Sequence, residues 1–133
     1  MKPQLPSIAS ALTFVLASVS HADILINEVD ADQTSTDTAE FIELFDGGMG
    51  NQSLDGYSLV FYNGSNDLSY QAFSLDGYST NNDGYFVLCG DAAQVANCDL
   101  DVSPDSNLIQ NGADAVALYL APASDFPTNT GVT

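Results

Sequence analysis

Six Asp-Gly or Asn-Gly pairs cut the chain after residue 23 into short runs rich in Val, Ile, Phe and Tyr. The pairs are Asp46-Gly47, Asp55-Gly56, Asn63-Gly64, Asp76-Gly77, Asp83-Gly84 and Asn111-Gly112. Asx and Gly accept the positive φ of tight turns, Gly at almost no steric cost. No stretch between them sustains a helical apolar period beyond two turns. Strands are therefore expected at 24–29, 40–45, 57–62, 70–74, 85–89 and 115–120, with a weaker one near 108–110. Alternation within 40–45 puts Ile42 and Leu44 on one face and Phe41, Glu43 and Phe45 on the other; in 57–62, Leu59 and Phe61 oppose Val60 and Tyr62. Apolar groups on both faces suit sheet-on-sheet packing with a partly covered outer face, an all-β sandwich of short antiparallel strands. Leu54-Asp55-Gly56-Tyr57 recurs as Leu75-Asp76-Gly77-Tyr78. The flanks differ, so these read as two similar turn-to-strand junctions, not a structural repeat.

The N-terminus runs from Lys2 through an apolar stretch at 8–19 to Ser20-His21-Ala22. That order is a secretory signal, with cleavage expected between Ala22 and Asp23. The apolar stretch is short of the roughly 20 residues that span a bilayer, so the mature chain is expected to have no transmembrane span. Residues 1–22 are thus read as a signal peptide and residues 23–133 as one domain. Lys2 and His21 are the only Lys and His, there is no Arg, and all 18 acids lie after residue 22. Direct nucleic-acid binding loses its cations. Triads lose their base, and Schiff-base chemistry its amine. What remains is oxygen-donor chemistry, suited to hard cations such as calcium.

The stretch NEVDADQTSTDTAEFIEL, residues 27–44, gathers Glu28, Asp30, Asp32, Asp37, Glu40 and Glu43 with no basic residue. Asp30, Asp32, Asp37 and Glu40 lie in and just beyond the loop between two expected strands and are the candidate calcium ligands. Their spacing is not that of an EF-hand loop. The alternative is a solvated loop whose Asp and Thr side chains bond locally. By alternation Glu28 shares a face with Ile24 and Ile26, where an ionised carboxylate without Lys or Arg is costly. Glu28 and Glu43 are expected to be structural acids. A glycosidase role for that pair would want a sugar-stacking Trp, and the chain has none. The Tyr and Phe side chains are read mainly as core and interstrand packing, with Tyr62, Tyr70 and Tyr78 as the candidates for an exposed aromatic surface. Cys89 and Cys98 enclose GDAAQVAN and, in an exported protein, read as one disulfide worth about 2.7 kcal/mol by chain entropy.

Several ordered motifs carry a resemblance. ILINEVDADQTSTDTAEFIELFDGG, SLDGYSLVFYNGSNDLSY, DGYFVLCGD and NLIQNGADAVALYL together resemble the lamin tail domain in its bacterial secreted form. The resemblance implies an immunoglobulin-like β-sandwich of about seven or more strands. It also implies a non-catalytic interaction or targeting module, often placed beside an extracellular nuclease, whose partner is a protein or cell-surface component. The basic residues of nuclear lamin tails are missing, so DNA or chromatin binding does not carry over. Bacterial relatives continue through a further strand rich in Val, Asp and Tyr, so this chain is expected to lack its last strand and to be the N-terminal part of a larger protein. The alternative function is a calcium-dependent structural or adhesive domain.

Overall fold

The computed structural model describes residues 23–132; the expected signal peptide lies outside the described residues. The strands are β1 (Leu25–Asp30), β2 (Phe41–Phe45), β3 (Tyr57–Asn63), β4 (Leu68–Ser74), β5 (Tyr85–Cys89), β6 (Leu100–Asp101) and β7 (Ala115–Leu120). They form two sheets, ordered β1-β2-β5-β6 and β4-β3-β7. All pairings are antiparallel except the short β5–β6 pair. This is the two-sheet β-sandwich expected from the alternation, of the immunoglobulin-like kind that the resemblance implies.

The inner faces meet in one core. Ile42, Leu44, Phe86 and Leu88 come from the first sheet and Leu59 and Phe61 from the second, all fully buried. Edge-to-face contacts of Phe61 with Tyr70 and Phe73 fill the space between the sheets. The outer face of the second sheet carries Val60 and Tyr62, as the alternation predicts, and Phe126 closes over it, stacked on Tyr119 at 4.4 Å. Tyr62 is therefore buried, Tyr70 faces the core and Tyr78 packs edge-on to Phe86. Tyr62 and Tyr70 thus join the packing, as read for most of the aromatic side chains, while Tyr78 alone of the three is exposed, at 36%.

Two further expectations change. The segment 108–110 is a loop, although Leu108 and Ile109 are buried, because its N–H groups bond to a carboxylate instead of a neighbouring strand. Glu28 does not share the core face of Ile26. The register slips between Ile26↔Leu44 and Glu28↔Glu43, so the extra residue, Asn27, turns Glu28 outward opposite Glu43. A bulge of this kind reverses side-chain alternation from that point on.

The turns are held by carboxylates. Gly56 N–H donates to Asp76 and Gly77 N–H donates to Asp55, each at 2.7 Å, so the two Leu-Asp-Gly-Tyr segments clasp one another reciprocally. They act as a matched pair despite their unlike flanks. Asp46 is fully buried and accepts from Gly48 N–H, Met49 N–H and the Thr80 hydroxyl. Gly84 (φ +92°) backs onto that carboxylate, leaving no room for a Cβ beside Asp46 Oδ1. After β7 the chain returns to β4, with Ser69 N–H donating to Thr130 O and Asn129 N–H to Ser69 O, both at 2.8 Å. Gly77 has a similar φ of +83° with open space around it. Gly84→Ala is therefore expected to lose more stability than Gly77→Ala, by about 1–3 kcal/mol, in urea unfolding of the two variants.

Candidate functional site

Asp30, Asp37 and Glu40 lie near enough for their charges to interact, but among the described residues no group of three or more His, Cys, Asp or Glu is placed to hold a metal ion. Asp37 and Glu40 are 2% and 1% exposed, and their oxygens are taken by protein donors. Asp37 accepts from Gln33 N–H at 2.8 Å and from the Asn111 amide. Glu40 accepts from Leu108 N–H and Ile109 N–H. Asp30 accepts from the Gln33 amide at 2.9 Å, and Asp32 is exposed. The stretch after β1 thus pins the 107–111 loop over the end of the sandwich, with Asn107 N–H also donating to Asp37 O.

The remaining acids of the opening stretch point elsewhere. Antiparallel register sets Glu28, Glu43 and Val87 in one row on the outer face of the first sheet, and Asp30, Phe41 and Cys89 in the next. The Cys89–Cys98 disulfide forms, with Cα atoms 5.8 Å apart. It folds residues 90–97 back so that Val95 packs on Val87, Cys89 and Phe41. This covers only part of the face. Beside it lies a groove of about 630 Å³, floored by Phe41, Tyr85 and Val87 and walled by the disulfide loop. Phe45 stacks on Tyr85 at 4.7 Å and stiffens the aromatic side of this face. Glu28, Asp30 and Glu43 line one side, and Asp83 and Asp99 complete an acidic rim. Asn27 donates to Glu43 at 2.7 Å, and Val87 N–H donates to Asp99 at 2.8 Å. No cationic side chain exists after residue 22 to neutralise the rim.

The profile of the Lamin Tail Domain family matches residues 17–129. The chain belongs to the lamin tail domain family. No curated protein matches it. The match covers both hairpins, the disulfide loop and β7, and it begins six residues before the expected cleavage point. It supports the immunoglobulin-like fold and an interaction role for this lamin tail domain.

Alternation along β2 turns Glu43 outward, but no pattern in the sequence marks the groove. The nearest sign is Phe41, Glu43 and Phe45 on one face, an aromatic and acidic mixture where a solvated face would be polar throughout. Tyr85, Val95 and Asp99 enter through non-local pairing and the disulfide, which no local pattern encodes.

The buried acids of this lamin tail domain titrate in opposite senses. Burial pushes the Glu40 carboxyl up against the pull of its two N–H donors, and the charges of Asp37 and Asp30 add to the rise. Asp37 is held low by Gln33 N–H and the Asn111 amide. For Asp46, burial acts upward, but Thr80 and the N–H groups of residues 48–50 win and lower it. A raised carboxyl means that the charged form costs folding energy, so stability is gained as pH falls through the folded Glu40 pKa. A lowered carboxyl contributes stability above the ordinary carboxylate range, lost as pH falls through its folded pKa. Unfolding free energy should therefore pass through a maximum as pH falls, rising through the folded Glu40 pKa above the ordinary carboxylate range and falling again as Asp37 and Asp46 protonate below that range. Glu40→Gln should flatten the rise. Glu40→Ala strands two buried N–H groups and should cost about 2–5 kcal/mol, equally with calcium or with EDTA, whereas Asp32→Asn should change little; urea titration reads all of these.

Proposed function

We propose that this lamin tail domain is an exported, non-catalytic interaction or targeting module. It binds a protein or cell-surface component through the outer face of the β1-β2-β5-β6 sheet and stands at the N-terminal side of a larger secreted nuclease-type protein. The groove carries this reading. The second sheet has its outer face closed by Phe126, whereas the first leaves Phe41 and Tyr85 half-buried beside an open concavity. Half-buried aromatics around a concave face suit a partner more than a core.

Export is supported by the signal pattern and by the disulfide, which persists in oxidising compartments. No helix among the described residues is long and apolar enough to cross a membrane. The non-catalytic reading is supported by the side-chain repertoire. After residue 22 there is no His, Lys or Arg to act as base, amine or phosphate clamp. Glu28, opposite Glu43, is exposed, whereas a glycosidase acid needs burial to stay protonated.

The test fuses the chain ahead of an inert reporter enzyme in the producing cells. N-terminal sequencing of the exported fusion should start at Asp23. The reporter should remain on the cell surface with the intact domain and be released with Val87→Asp, provided that variant keeps its unfolding midpoint. Release of the reporter regardless of the domain would refute the interaction reading.

A further inference from the structure

We infer that the groove on the first sheet takes a polypeptide segment that carries Lys or Arg beside an apolar residue. This rests on the interaction reading and names the chemistry of its partner. Three observations combine at one place. The floor of Phe41, Tyr85 and Val87 is apolar, so the occupant must bury carbon. Glu28 stands directly opposite Glu43 across the β1–β2 pairing, and like charges in that position repel. Among the described residues the one side-chain hydrogen bond to either comes from the Asn27 amide, which serves Glu43. A cation between them removes a repulsion that the fold itself leaves standing.

The occupant is specified further by what does not fit. A bare divalent ion would find no cluster of three carboxylates here and would leave the apolar floor wet. A second copy of the chain brings the same negative charge and no cation after residue 22. Anionic nucleic acid is repelled for the same reason. Lys and Arg side chains answer both demands: their methylene stems lie on apolar surface while the charged head reaches the rim. An Arg or Lys over the Tyr85 or Phe41 ring adds a cation–π contact. The loop closed by the Cys89–Cys98 disulfide makes the wall at 94–97.

The probe is a synthetic peptide of alternating Lys and Phe, titrated into the isotopically labelled whole chain and followed by amide chemical shifts. Companion peptides replace Lys by Glu or Phe by Ala, and spermidine serves as a cation without side chains. Shifts are expected at Glu43, Val87 and Asn97 with the Lys-Phe peptide, and both companions should bind more weakly. Glu28→Gln/Glu43→Gln should weaken binding on the order of tenfold, as should Asp83→Asn to a lesser degree. Asp105→Asn/Asp125→Asn removes the same charge from exposed sites outside the groove and should change binding by less than about twofold. Equal losses in the two double variants, binding of spermidine as tight as the peptide, or no binding at all would overturn the inference. If the peptide fails while surface retention of the reporter stays sensitive to Val87→Asp, the cationic partner is wrong and the interaction reading stands. If retention is absent as well, the reading itself falls.

Discussion

A fold whose described residues contain no cationic side chain must satisfy its buried carboxylates with N–H, hydroxyl and amide donors. Most of the architecture follows from that substitution. Glu40 holds Leu108 and Ile109, Asp46 holds Gly48, Met49 and Thr80, and Asp55 and Asp76 hold each other's Gly. Asp99 accepts from Val87 in the neighbouring strand, and Asp114 from Gly64 across two loops. Each such bond ties down a turn or loop that would otherwise be fixed only by its own propensity. A charged acceptor is about twice as strong a partner as a neutral one, so Asp46 and Asp76, both held low by their donors, stabilise the chain locally as carboxylates, whereas burial offsets that gain at Glu40.

The same constraint divides the acids into two groups. Those with a ring of N–H donors are interior staples and carry the fold. Those on the outer face of the first sheet have one donor or face another acid, and they retain unbalanced charge beside an apolar groove. The contrast with the second sheet is instructive. There the two tyrosine hydroxyls, Tyr62 and Tyr119, bond to one another at 3.2 Å beneath Phe126, and burial pushes the Tyr62 phenol up to about 12. One outer face is covered by Phe126, while the other is open and acidic. That asymmetry gives this lamin tail domain a direction in which to meet a partner.

Much of this was legible before any coordinate. The four Asp-Gly turns use their Gly at positive φ, as the residue pair implies, whereas in Asn63-Gly64 and Asn111-Gly112 the Gly is not left-handed. The turn after β3 places its positive φ at Asp67 instead. The inward and outward faces of β2 and β3 also follow from alternation alone. The acidic loop was readable as acidic but not as purposeful, since the donors that engage Asp37 and Glu40 lie near residue 110, far along the chain.

The sequence by itself determined the class of fold, the lack of cationic side chains after residue 22, and the pairing of two cysteines too close in sequence to serve distant elements. These depend on local periodicity, composition and spacing, which are properties of a chain read in order. Only the tertiary structure decided where Glu28 points, what Asp37 and Glu40 hold, and that a groove exists. A one-residue bulge is set by how two strands pair, and a carboxylate's partner by which backbone arrives beside it. Neither is written in the residues on either side.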